Sequence, residues 1–450
     1  MSEILQKRKL SSFLTQVRRQ EILEDDKVYR LLGVKWYGKG VFIREEKKGK
    51  EIKAEKLFRV KTGDFIYNRL FAWKSSFAII TEEFSDCLVS NEFPIFNLKD
   101  DSVDLEYLLK FILLPPNIDT VNRLSGGMSS VSRKRFKEEE FLNFEIPNVT
   151  KKEQHKISSY ISGIENKVHI FLTETESQSE YLSSLRQAIL QEAVEGKLTA
   201  DWRKAHPELI SGENHASRLL EKIKAEKEHL IKEGKIKKEK PLPWIKNNEK
   251  VNELPEGWVW GSLQDISDVR DGTHDTPQYF QKGIPFITSK NLENNKINFD
   301  KCKYISIEDH KKYSNRSHVD KNDIIFAMIG SIGNPVIVEV DFEFSIKNVA
   351  LFKYYDHSLI ESKYLYYYLL FSQEKIKQMA LGGLQPFVSL KFIRNYIICL
   401  PPLIEQQVIA KKIDRLIDMV DELEKQVQER KELADMLMQS VLREAFEGQT

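Results

Sequence analysis

A long internal repeat constrains this chain more strongly than any other feature of its sequence. A shift of 252 positions aligns residues 153–196 with residues 405–448 without a gap. The pair Glu153-Gln154 then matches the pair Glu405-Gln406. A gapless match of this length indicates a duplicated structural unit, so we expect the chain to contain two related parts.

Both copies of the repeat are predicted to be long helices that share an apolar seam. Apolar residues recur at alternating steps of four and three, which is the heptad spacing of a coiled coil. Each seam turns polar midway, where packing is expected to loosen, and Gly196 and Gly448 occupy the positions of C-cap glycines. About 44 residues at 1.5 Å each give a helix of roughly 66 Å. The predicted seam residues are Ile157, Ile161, Ile164, Val168 and Leu185 in the first copy and Ile409, Ile413, Leu416, Val420 and Leu437 in the second.

The segments before the two helices also correspond, though more faintly. Asp64-Phe-Ile-Tyr67 aligns with Asp323-Ile-Ile-Phe326, and Gly126-Gly127 aligns with Gly382-Gly383. Aromatic and β-branched runs separated by Gly, Asn and Asp predict strand-rich domains with few helices. The predicted fold class is therefore α+β, with two strand-rich domains separated by an antiparallel coiled coil and with internal pseudo-twofold symmetry.

Five segments follow from this pattern. We predict a first domain at 1–150, a first coiled-coil helix at 151–199, a connector at 200–252, a second domain at 253–402 and a second helix at 403–450. The charge-patterned connector is expected to form a solvated helix followed by a turn at Pro241-Leu-Pro243. The charged stretch at residues 2–20 is predicted to be an N-terminal helix.

Composition limits the possible functions without selecting one. The 69 Lys and Arg residues balance 68 Asp and Glu residues, so the net charge of +1 does not by itself indicate a nucleic-acid-binding protein. Three widely spaced cysteines predict free thiols in a reducing compartment. The sequence shows neither a signal peptide nor a long apolar run, which predicts a cytoplasmic protein that does not contact a membrane.

A search for catalytic motifs predicts no catalytic residue and no metal site. Asn334-Pro-Val and Leu114-Pro-Pro-Asn117 both lack the Asn/Asp-Pro-Pro-aromatic pattern of adenine methyltransferases. Neither a phosphate-binding glycine loop nor a His-Glu-x-x-His motif occurs, and the nine histidines do not cluster.

Several motifs, taken in their order, resemble the specificity subunits of type I restriction-modification systems. The second domain opens with Leu254-Pro-Glu-Gly-Trp258, continues with Asp271-Gly-Thr-His274 and Gly330-Ser-Ile-Gly333, and ends in Leu400-Pro-Pro-Leu403 before Glu405-Gln406. Gly196-Lys-Leu-Thr199, followed by Trp202-Arg203, is similarly typical. The first domain departs from this pattern, because it lacks the Leu-Pro-x-Gly-Trp opening and enters its helix through Ile146-Pro-Asn148.

The resemblance implies a non-catalytic subunit that binds double-stranded DNA at a bipartite, asymmetric target through two target-recognition domains. It implies two methyltransferase subunits as partners, which methylate adenine N6, and restriction/translocase subunits in the complete complex. S-adenosylmethionine, ATP and Mg are then expected on those partners, with no cofactor bound by this chain. Helix length would set the unread spacer, so an insertion after Gln178 is expected to change spacing alone.

Candidate DNA-binding residues are basic, amide or aromatic residues in predicted loops, together with the paired glycines, because such side chains read base edges and glycine permits close backbone approach. In the first domain they are Lys35, Tyr37, Lys39, Arg69, Arg123, Gly126, Gly127, Arg133, Lys134 and Arg135. In the second they are Arg270, His274, Lys290, Asn291, Lys347, Asn348, Gly382, Gly383, Gln385 and Lys391.

Two alternative functions remain open from the sequence alone. A coiled-coil scaffold whose globular domains bind proteins would show no DNA binding when methyltransferase subunits are present. An unrecognised nuclease or methyltransferase would be active as the purified chain with magnesium or S-adenosylmethionine.

Overall fold

A computed structural model describes residues 6–54, 56–126, 134–238, 253–381, 383 and 386–447. The chain divides into two compact units. The first comprises Met1–Ser177 and Gln428–Thr450, and the second comprises Gln178–Val427. Each copy of the sequence repeat forms one helix that contributes residues to both units.

The first unit holds most of the elements up to the first long helix. In chain order they are β1 (Lys7–Lys9), β2 (Leu14–Val17), β3 (Gln20–Glu21), β4 (Val28–Val34), β5 (Val41–Lys48), β6 (Leu57–Arg59), β7 (Phe65–Tyr67), β8 (Phe77–Ile79), β9 (Leu88–Ser90), β10 (Ile95–Leu98), α1 (Leu105–Ile112), α2 (Pro115–Leu124), α3 (Glu138–Asn143), β11 (Glu145–Pro147) and α4 (Lys151–Val194).

The remaining elements belong to the second unit, except for the end of the last helix. They are α5 (Ala200–Ala205), α6 (Ala216–Lys232), β12 (Val259–Ser262), α7 (Leu263–Ile266), β13 (Asp268–Asp271), β14 (Ile284–Thr288), β15 (Leu292–Glu293), β16 (Lys296–Ile297), β17 (Lys303–Ile305), α8 (Ile307–Ser317), β18 (Ile324–Ala327), β19 (Gly333–Ile337), β20 (Ser345–Lys347), β21 (Val349–Lys353), α9 (Ser362–Gln378), α10 (Leu390–Asn395), β22 (Ile397–Leu400) and α11 (Leu403–Glu447).

The two units are built on the same four-stranded antiparallel sheet. Its order is β2-β10-β7-β8 in the first unit and β13-β21-β18-β19 in the second. Each unit adds a second sheet that contains one parallel pair, β4 with β9 and β14 with β20. A short ladder closes each unit, β1 with β11 and β12 with β22. The α+β class predicted from the sequence is confirmed.

Aromatic packing fills the core of the first unit beneath its four-stranded sheet. Phe65 and Tyr67 of β7 and Phe96 of β10 pack around Phe141 of α3, with ring centroids 4.7–5.6 Å from that of Phe141. Burial of such large side chains contributes the main stabilisation of a small core. Alternate residues of the short strands β7 and β10 thereby anchor the loops that follow them.

A glutamine of the repeat makes the same hydrogen bonds in both copies. Gln154 Oε1 accepts from the backbone N–H of Asp104 at 2.9 Å, and Gln406 Oε1 accepts from that of Glu361 at 3.0 Å. Each side-chain amide also donates to the carbonyl five residues earlier. Asp104 and Glu361 are the N-cap residues of α1 and α9. The glutamine therefore joins the first turn of each long helix to the preceding domain.

The two long helices run antiparallel within each unit. In the first unit, Ile157 and Ile161 near the start of α4 share a core with Phe446 near the end of α11. In the second unit, Arg186 near the end of α4 bonds Asp421 of α11 at 2.5 Å. Antiparallel pairing was predicted from the repeat, and both contacts confirm it.

The seam is narrower than the heptad pattern predicted. Ile161, Ile409, Ile413 and Val420 are buried, while Ile157, Ile164, Val168 and Leu416 are half-buried. Leu185 and Leu437 are 45% and 54% exposed, so their assignment to the seam was wrong. Buried positions of α11 recur every seven residues from Ile413 to Val441. One row per heptad of α11 is therefore buried, whereas in the second apolar row Leu416 is half-buried and Leu423 and Leu437 are exposed.

Thr175 in the polar stretch of α4 departs from the expectation of loose packing. Its side chain is buried, and its hydroxyl donates to the carbonyl of Leu172 at 2.7 Å. A hydroxyl that bonds a carbonyl of its own helix can be buried without losing its hydrogen bond.

At the other end of α4, Gly196 adopts φ +70°, which confirms the predicted C-cap. Gly448 lies outside the described residues.

The predicted N-terminal helix does not form in the described part of that stretch. Residues 7–17 instead contain β1 and β2, and Leu10, Phe13 and Leu14 are buried between them and the core. Pairing of β1 with β11 satisfies the backbone and overrides local helix propensity. The first domain therefore has a terminal strand pair, β1 with β11, like the pair β12 with β22 of the second domain, although its sequence does not begin with Leu-Pro-x-Gly-Trp.

The connector helix is packed rather than solvated. Leu219 and Ile223 of α6 are buried in the core of the second unit. Lys227 Nζ donates to the carbonyl of Gln264 at 3.0 Å, which fixes the helix next to α7. The charge pattern predicted the exposed face correctly but missed the apolar face. The turn predicted at Pro241-Leu-Pro243 lies outside the described residues.

Candidate nucleic-acid interface

Several loops of the second unit converge on one face at the ends of its strands. Ser331 Oγ donates to the carbonyl of Ser289 at 3.3 Å, and Ser289 Oγ donates to the carbonyl of Asn348 at 3.1 Å. Ile329 forms a β-bridge with Phe387. We call residues 271–276, 289–291, 329–331, 347–348 and 386–387 the second-unit loop surface.

The Asp271-Gly-Thr-His274 motif places an imidazole on this surface. His274 Nε2 lies 2.9 Å from the Asp271 carboxylate, and Nδ1 lies 3.0 Å from Asn348 Oδ1. Arg316 also bonds the Asp271 carboxylate. The His274 side chain is nevertheless 60% exposed. A polar ring held at both nitrogens and open to solvent is positioned to contact a ligand.

Gly272 explains why this motif needs glycine. A Cβ atom at this position would lie 2.5 Å from the carbonyl oxygen of Ile346. The backbone N–H groups of Gly272 and Thr273 bond the carbonyls of Val349 and Ile346, both at 3.0 Å. The turn is therefore pressed against β20 and β21, which fixes the direction of the following histidine.

The structure divides the other candidates in the second unit into exposed and committed side chains. Lys290, Lys391 and Gly383 are exposed, and neither of these two ammonium groups has a hydrogen-bond or ion-pair partner among the described residues. Lys347 donates to Thr276 at 2.7 Å, and Arg270 is held by Asp268. Gly382 and Gln385 lie outside the described residues.

The position of Asn291 does not favour the base-reading role predicted for it. It is buried, and its side-chain oxygen accepts hydrogen bonds from the backbone N–H and the hydroxyl of Thr288, both at 3.0 Å. Its amide donates to the carbonyl of Asn298. All of its polar groups are engaged in shaping the turn, which is a local role that asparagine often fills.

The loop between β4 and β5 presents aromatic and basic side chains on the first unit. The backbone N–H groups of Tyr37 and Gly38 donate to the carbonyls of Lys74 and Ser75 at 2.9 and 2.8 Å. Tyr37 is 68% exposed and adopts φ +58°, an unusual conformation for a bulky residue. Lys35 and Lys39 beside it are exposed.

Trp36 and Lys74 belong to the same surface but were not predicted. Lys74 Nζ lies 3.7 Å from the centroid of the Trp36 ring, a cation–π contact. A Trp-Tyr pair flanked by lysines was the available sequence signal for Trp36. Lys74 carried no local signal, because it reaches this loop only through folding. We call residues 35–40, 68–76, 91–92 and 134–135 the first-unit loop surface.

Most of the predicted arginines of the first unit already have partners. Arg69 is ion-paired with Glu138 and donates to the carbonyl of Asn91 at 2.5 Å. Burial opposes ionisation of Glu138, but the Arg69 guanidinium holds the pKa of that carboxyl below its ordinary value. Arg69 therefore positions the surface rather than facing solvent.

The remaining first-unit candidates lie near the ends of the 127–133 segment. Arg135 is 56% exposed and ion-paired with Glu92 at 2.5 Å. Lys134 donates to Asn122 and Arg123 to Thr120, both at 2.9 Å, and Gly126 forms a β-bridge with Arg135. Gly127 and Arg133 lie outside the described residues.

The aspartates that aligned between the two domains are structural. Arg19 binds the buried Asp64 carboxylate with two hydrogen bonds of 2.6 and 3.0 Å. Lys353 Nζ lies 2.6 Å from the buried Asp323 carboxylate. Burial raises the pKa of the Asp323 carboxyl, and the neighbouring Lys353 ammonium opposes this rise. Each aspartate also caps the backbone N–H three residues earlier, so the repeated motif preserves a turn.

A buried network explains three further motifs of the second unit. Glu405 is fully buried and accepts hydrogen bonds from Thr199 at 2.6 Å, Arg203 at 2.5 Å and the Trp258 indole at 2.8 Å. Arg203 also donates to the carbonyl of Gly196 at 2.6 Å. The segment after α4, the start of β12 and the first turn of α11 are thereby fixed to one carboxylate. Sequence reasoning found these motifs but assigned them no role.

No group of three or more His, Cys, Asp or Glu side chains suited to a metal ion occurs among the described residues. Within the same part of the chain, no helix is long and apolar enough to cross a membrane.

Comparisons with known proteins agree with the geometry of these surfaces. Residues 255–433 match the family described as type I restriction modification DNA specificity domain. The matched segment lies in the second unit except for its last six residues. It includes the Asp-Gly-Thr-His turn and the whole second-unit loop surface.

Relatives extend the similarity beyond the specificity domain. The EcoAI specificity subunit of Escherichia coli is 31% identical over 277 residues, covering 58% of this chain and 45% of that protein. The EcoBI specificity subunit of Escherichia coli is 24% identical, covering 75% and 64%. The chain thus spans about half to two thirds of the length of these relatives. The resemblance to type I specificity subunits is confirmed.

Solved structures share the fold over nearly the whole chain. One, from work on complex assembly and conformational transition of the type I R-M system, has a TM-score of 0.69 at 15% identity and covers 98% of this chain and 97% of its own. The HsdS subunit of Thermoanaerobacter tengcongensis has a TM-score of 0.58 at 16% identity and covers 99% and 97%. The specificity domain and the first unit are therefore both parts of a known architecture.

Proposed function

We propose that this chain is the DNA-specificity subunit of a type I restriction-modification complex. In this function each unit reads one half of a bipartite, asymmetric target, and partner subunits carry out adenine-N6 methylation and restriction. The chain itself contributes recognition and carries no catalytic centre.

The observation that carries this proposal is the repetition of one sheet with two different sets of loop side chains. Both units place the loop after a parallel strand beside the loop before the fourth strand. Ser76 Oγ bridges to the carbonyl of Val34 at 3.0 Å in the first unit, as Ser331 bridges to Ser289 in the second. The exposed residues differ, with Trp36 and Tyr37 in one unit and His274 in the other. Two similar sheets that present different exposed side chains suit the recognition of two different half-sites.

The chain's charge and its exposed apolar side chains fit a subunit that works with partners. A net charge of +1 supplies little non-specific attraction to phosphate, so partners are expected to provide part of it. On the long helices, Leu185, Met419 and Leu423 are exposed in the second unit, and Leu437 is exposed in the first. We propose that methyltransferase subunits dock on these apolar side chains of each unit. S-adenosylmethionine, ATP and Mg would be bound by the partners.

Base-modification sequencing tests the proposal directly. A host without endogenous adenine methylation would express this chain together with the methyltransferase of its own type I locus. We expect N6-methyladenine at one bipartite motif only when both proteins are present. The same motif without this chain would contradict DNA recognition and favour the scaffold alternative. Methylation by this chain alone with S-adenosylmethionine would contradict the non-catalytic assignment.

A matched pair of lysine variants connects the result to the loop surface. Lys290→Ala removes an exposed ammonium from the second-unit loop surface, and Lys222→Ala removes one from α6. We expect Lys290→Ala to weaken binding of target DNA and to lower, by about one, the slope of log binding constant against log salt concentration. Lys222→Ala should change neither quantity. Equal effects of the two variants would contradict the assignment of this surface.

A further inference from the structure

A narrow cleft on the first unit contains two polar side chains that have no partner within the described part of the chain. Gln16, Arg18, Arg69 and Asn91 supply its polar walls. Gln16 and Arg69 both bond Glu138 and are therefore committed. The side chains of Arg18 and Asn91 are exposed and make no hydrogen bond or ion pair with any described residue.

Arg18 and Arg19 are consecutive residues that connect β2 to β3, and their side chains have different surroundings. Arg19 points toward the buried Asp64 and binds it with both arms of its guanidinium. Arg18 instead lines the cleft and is exposed. An arginine whose guanidinium has no partner among the described residues is well suited to bidentate recognition of a ligand.

The same corner of the second unit carries the His274 arrangement. Asn91 is the first residue after β9, and Asn348 is the first residue after β20, which is the corresponding parallel strand. Arg18 follows β2 directly, and the turn that carries His274 follows β13. In the second unit the Asn348 side chain bonds His274, whereas the side chains of Asn91 and Arg18 have no such bond to any described residue.

We infer that Arg18 and Asn91 are the base-reading pair of the first unit, with Arg18 contacting a guanine and Asn91 an adenine. Arginine matches the two major-groove acceptors of guanine, and asparagine matches the donor and acceptor of adenine. The inference rests on the proposed DNA-specificity function and names residues for one half-site. Neither residue was among the candidates from the sequence.

Modification sequencing of single variants, with the partner methyltransferase present, tests this pair. Arg18→Ala is expected to relax one guanine position and Asn91→Ala one adenine position, both in the same half of the motif. Each loss of discrimination is expected to be roughly 5- to 150-fold in binding to the altered site. Arg30→Ala is the matched control, because Arg30 is an exposed arginine of β4 that does not line the cleft.

The outcomes separate this inference from the proposed function. An unchanged motif in both cleft variants, or a uniform loss at every site, would overturn the base-reading assignment while leaving the specificity function in place. A wild-type chain that directs no motif would overturn both. If Arg18→Ala fails to fold, Arg18→Lys keeps the charge but removes the planar fork. Loss of the guanine requirement in the Arg18→Lys variant supports the inference, and an unchanged requirement contradicts it.

Discussion

Replacement of Glu405 by alanine should destabilise the second unit far more than replacement of Glu153, the equivalent residue of the repeat, destabilises the first unit. The Glu405 carboxylate is fully buried and satisfies three donors, of which the Arg203 guanidinium is charged and only 12% exposed. Its removal leaves that charge without compensation, at a cost of about 3–5 kcal/mol. For a unit of this size, the midpoint of thermal unfolding should fall by roughly 6–20 °C.

Glu153 provides an internal control because it occupies the equivalent position in the repeat. Its carboxylate is exposed and only caps the start of α4, where it accepts from the backbone N–H and hydroxyl of Thr150 at 3.0 and 2.7 Å. Glu153→Ala should therefore give a much smaller shift. Scanning calorimetry of the full chain measures both shifts, and hydrogen exchange of peptides covering β1 and β12 assigns each transition to its unit.

A second substitution distinguishes the buried charge from a simple loss of packing. Arg203→Met in the Glu405→Ala background removes the uncompensated guanidinium and should recover part of the lost stability. Strictly additive losses in the double variant would refute the charge argument. A Glu405→Ala shift no larger than that of Glu153→Ala would refute the whole account of the network.

Three further predictions follow from single contacts. Gly272→Ala should destabilise the second unit by about 1–3 kcal/mol, because the added methyl group meets the backbone of the neighbouring strand; thermal unfolding measures this, and an unchanged midpoint would contradict the close contact. Gln154→Ala and Gln406→Ala should each cost about 1–3 kcal/mol, because both lose the same two hydrogen bonds, and Gln154 also loses a longer one of 3.3 Å to the carbonyl of Ser102. A much larger loss for Gln406→Ala in chemical denaturation would contradict the equivalence of the two joints. Leu185→Ala and Leu437→Ala should change stability by less than about 1 kcal/mol, yet reduce co-purification of the methyltransferase; retained co-purification would place the docking sites elsewhere.

The repeated frame was predictable from the sequence because its residues are repeated with it. The matched Gln154 and Gln406 form the same hydrogen bonds, and the matched Asp64 and Asp323 cap the same turn. The seam was predicted less well, since heptad spacing shows which residues are apolar but not how many rows a partner covers. Leu437 fits the spacing and is still 54% exposed.

The loop surfaces were only partly predictable, because side-chain partners are distant in sequence. Arg69 looked like a reader until folding placed Glu138 against it, 69 residues away. Asn291 looked like a reader until its amide proved to shape its own turn. Arg18 was passed over, since nothing local separates it from Arg19, which is committed to a buried aspartate. Residue type predicts chemistry, whereas availability depends on tertiary contacts.

Comparison of the two copies distinguishes residues that stabilise the fold from residues that are available for recognition. Positions that keep the same residue in both copies and make the same contact, such as Gln154 and Gln406, carry the frame. Glu153 and Glu405 warn that identity alone is insufficient, since one is exposed and the other fully buried. Corresponding positions that are exposed and chemically unlike, such as Arg18 at the corner where the second unit places His274, are free to differ because no core contact depends on them. Two unlike half-sites require divergence at those positions within an unchanged frame.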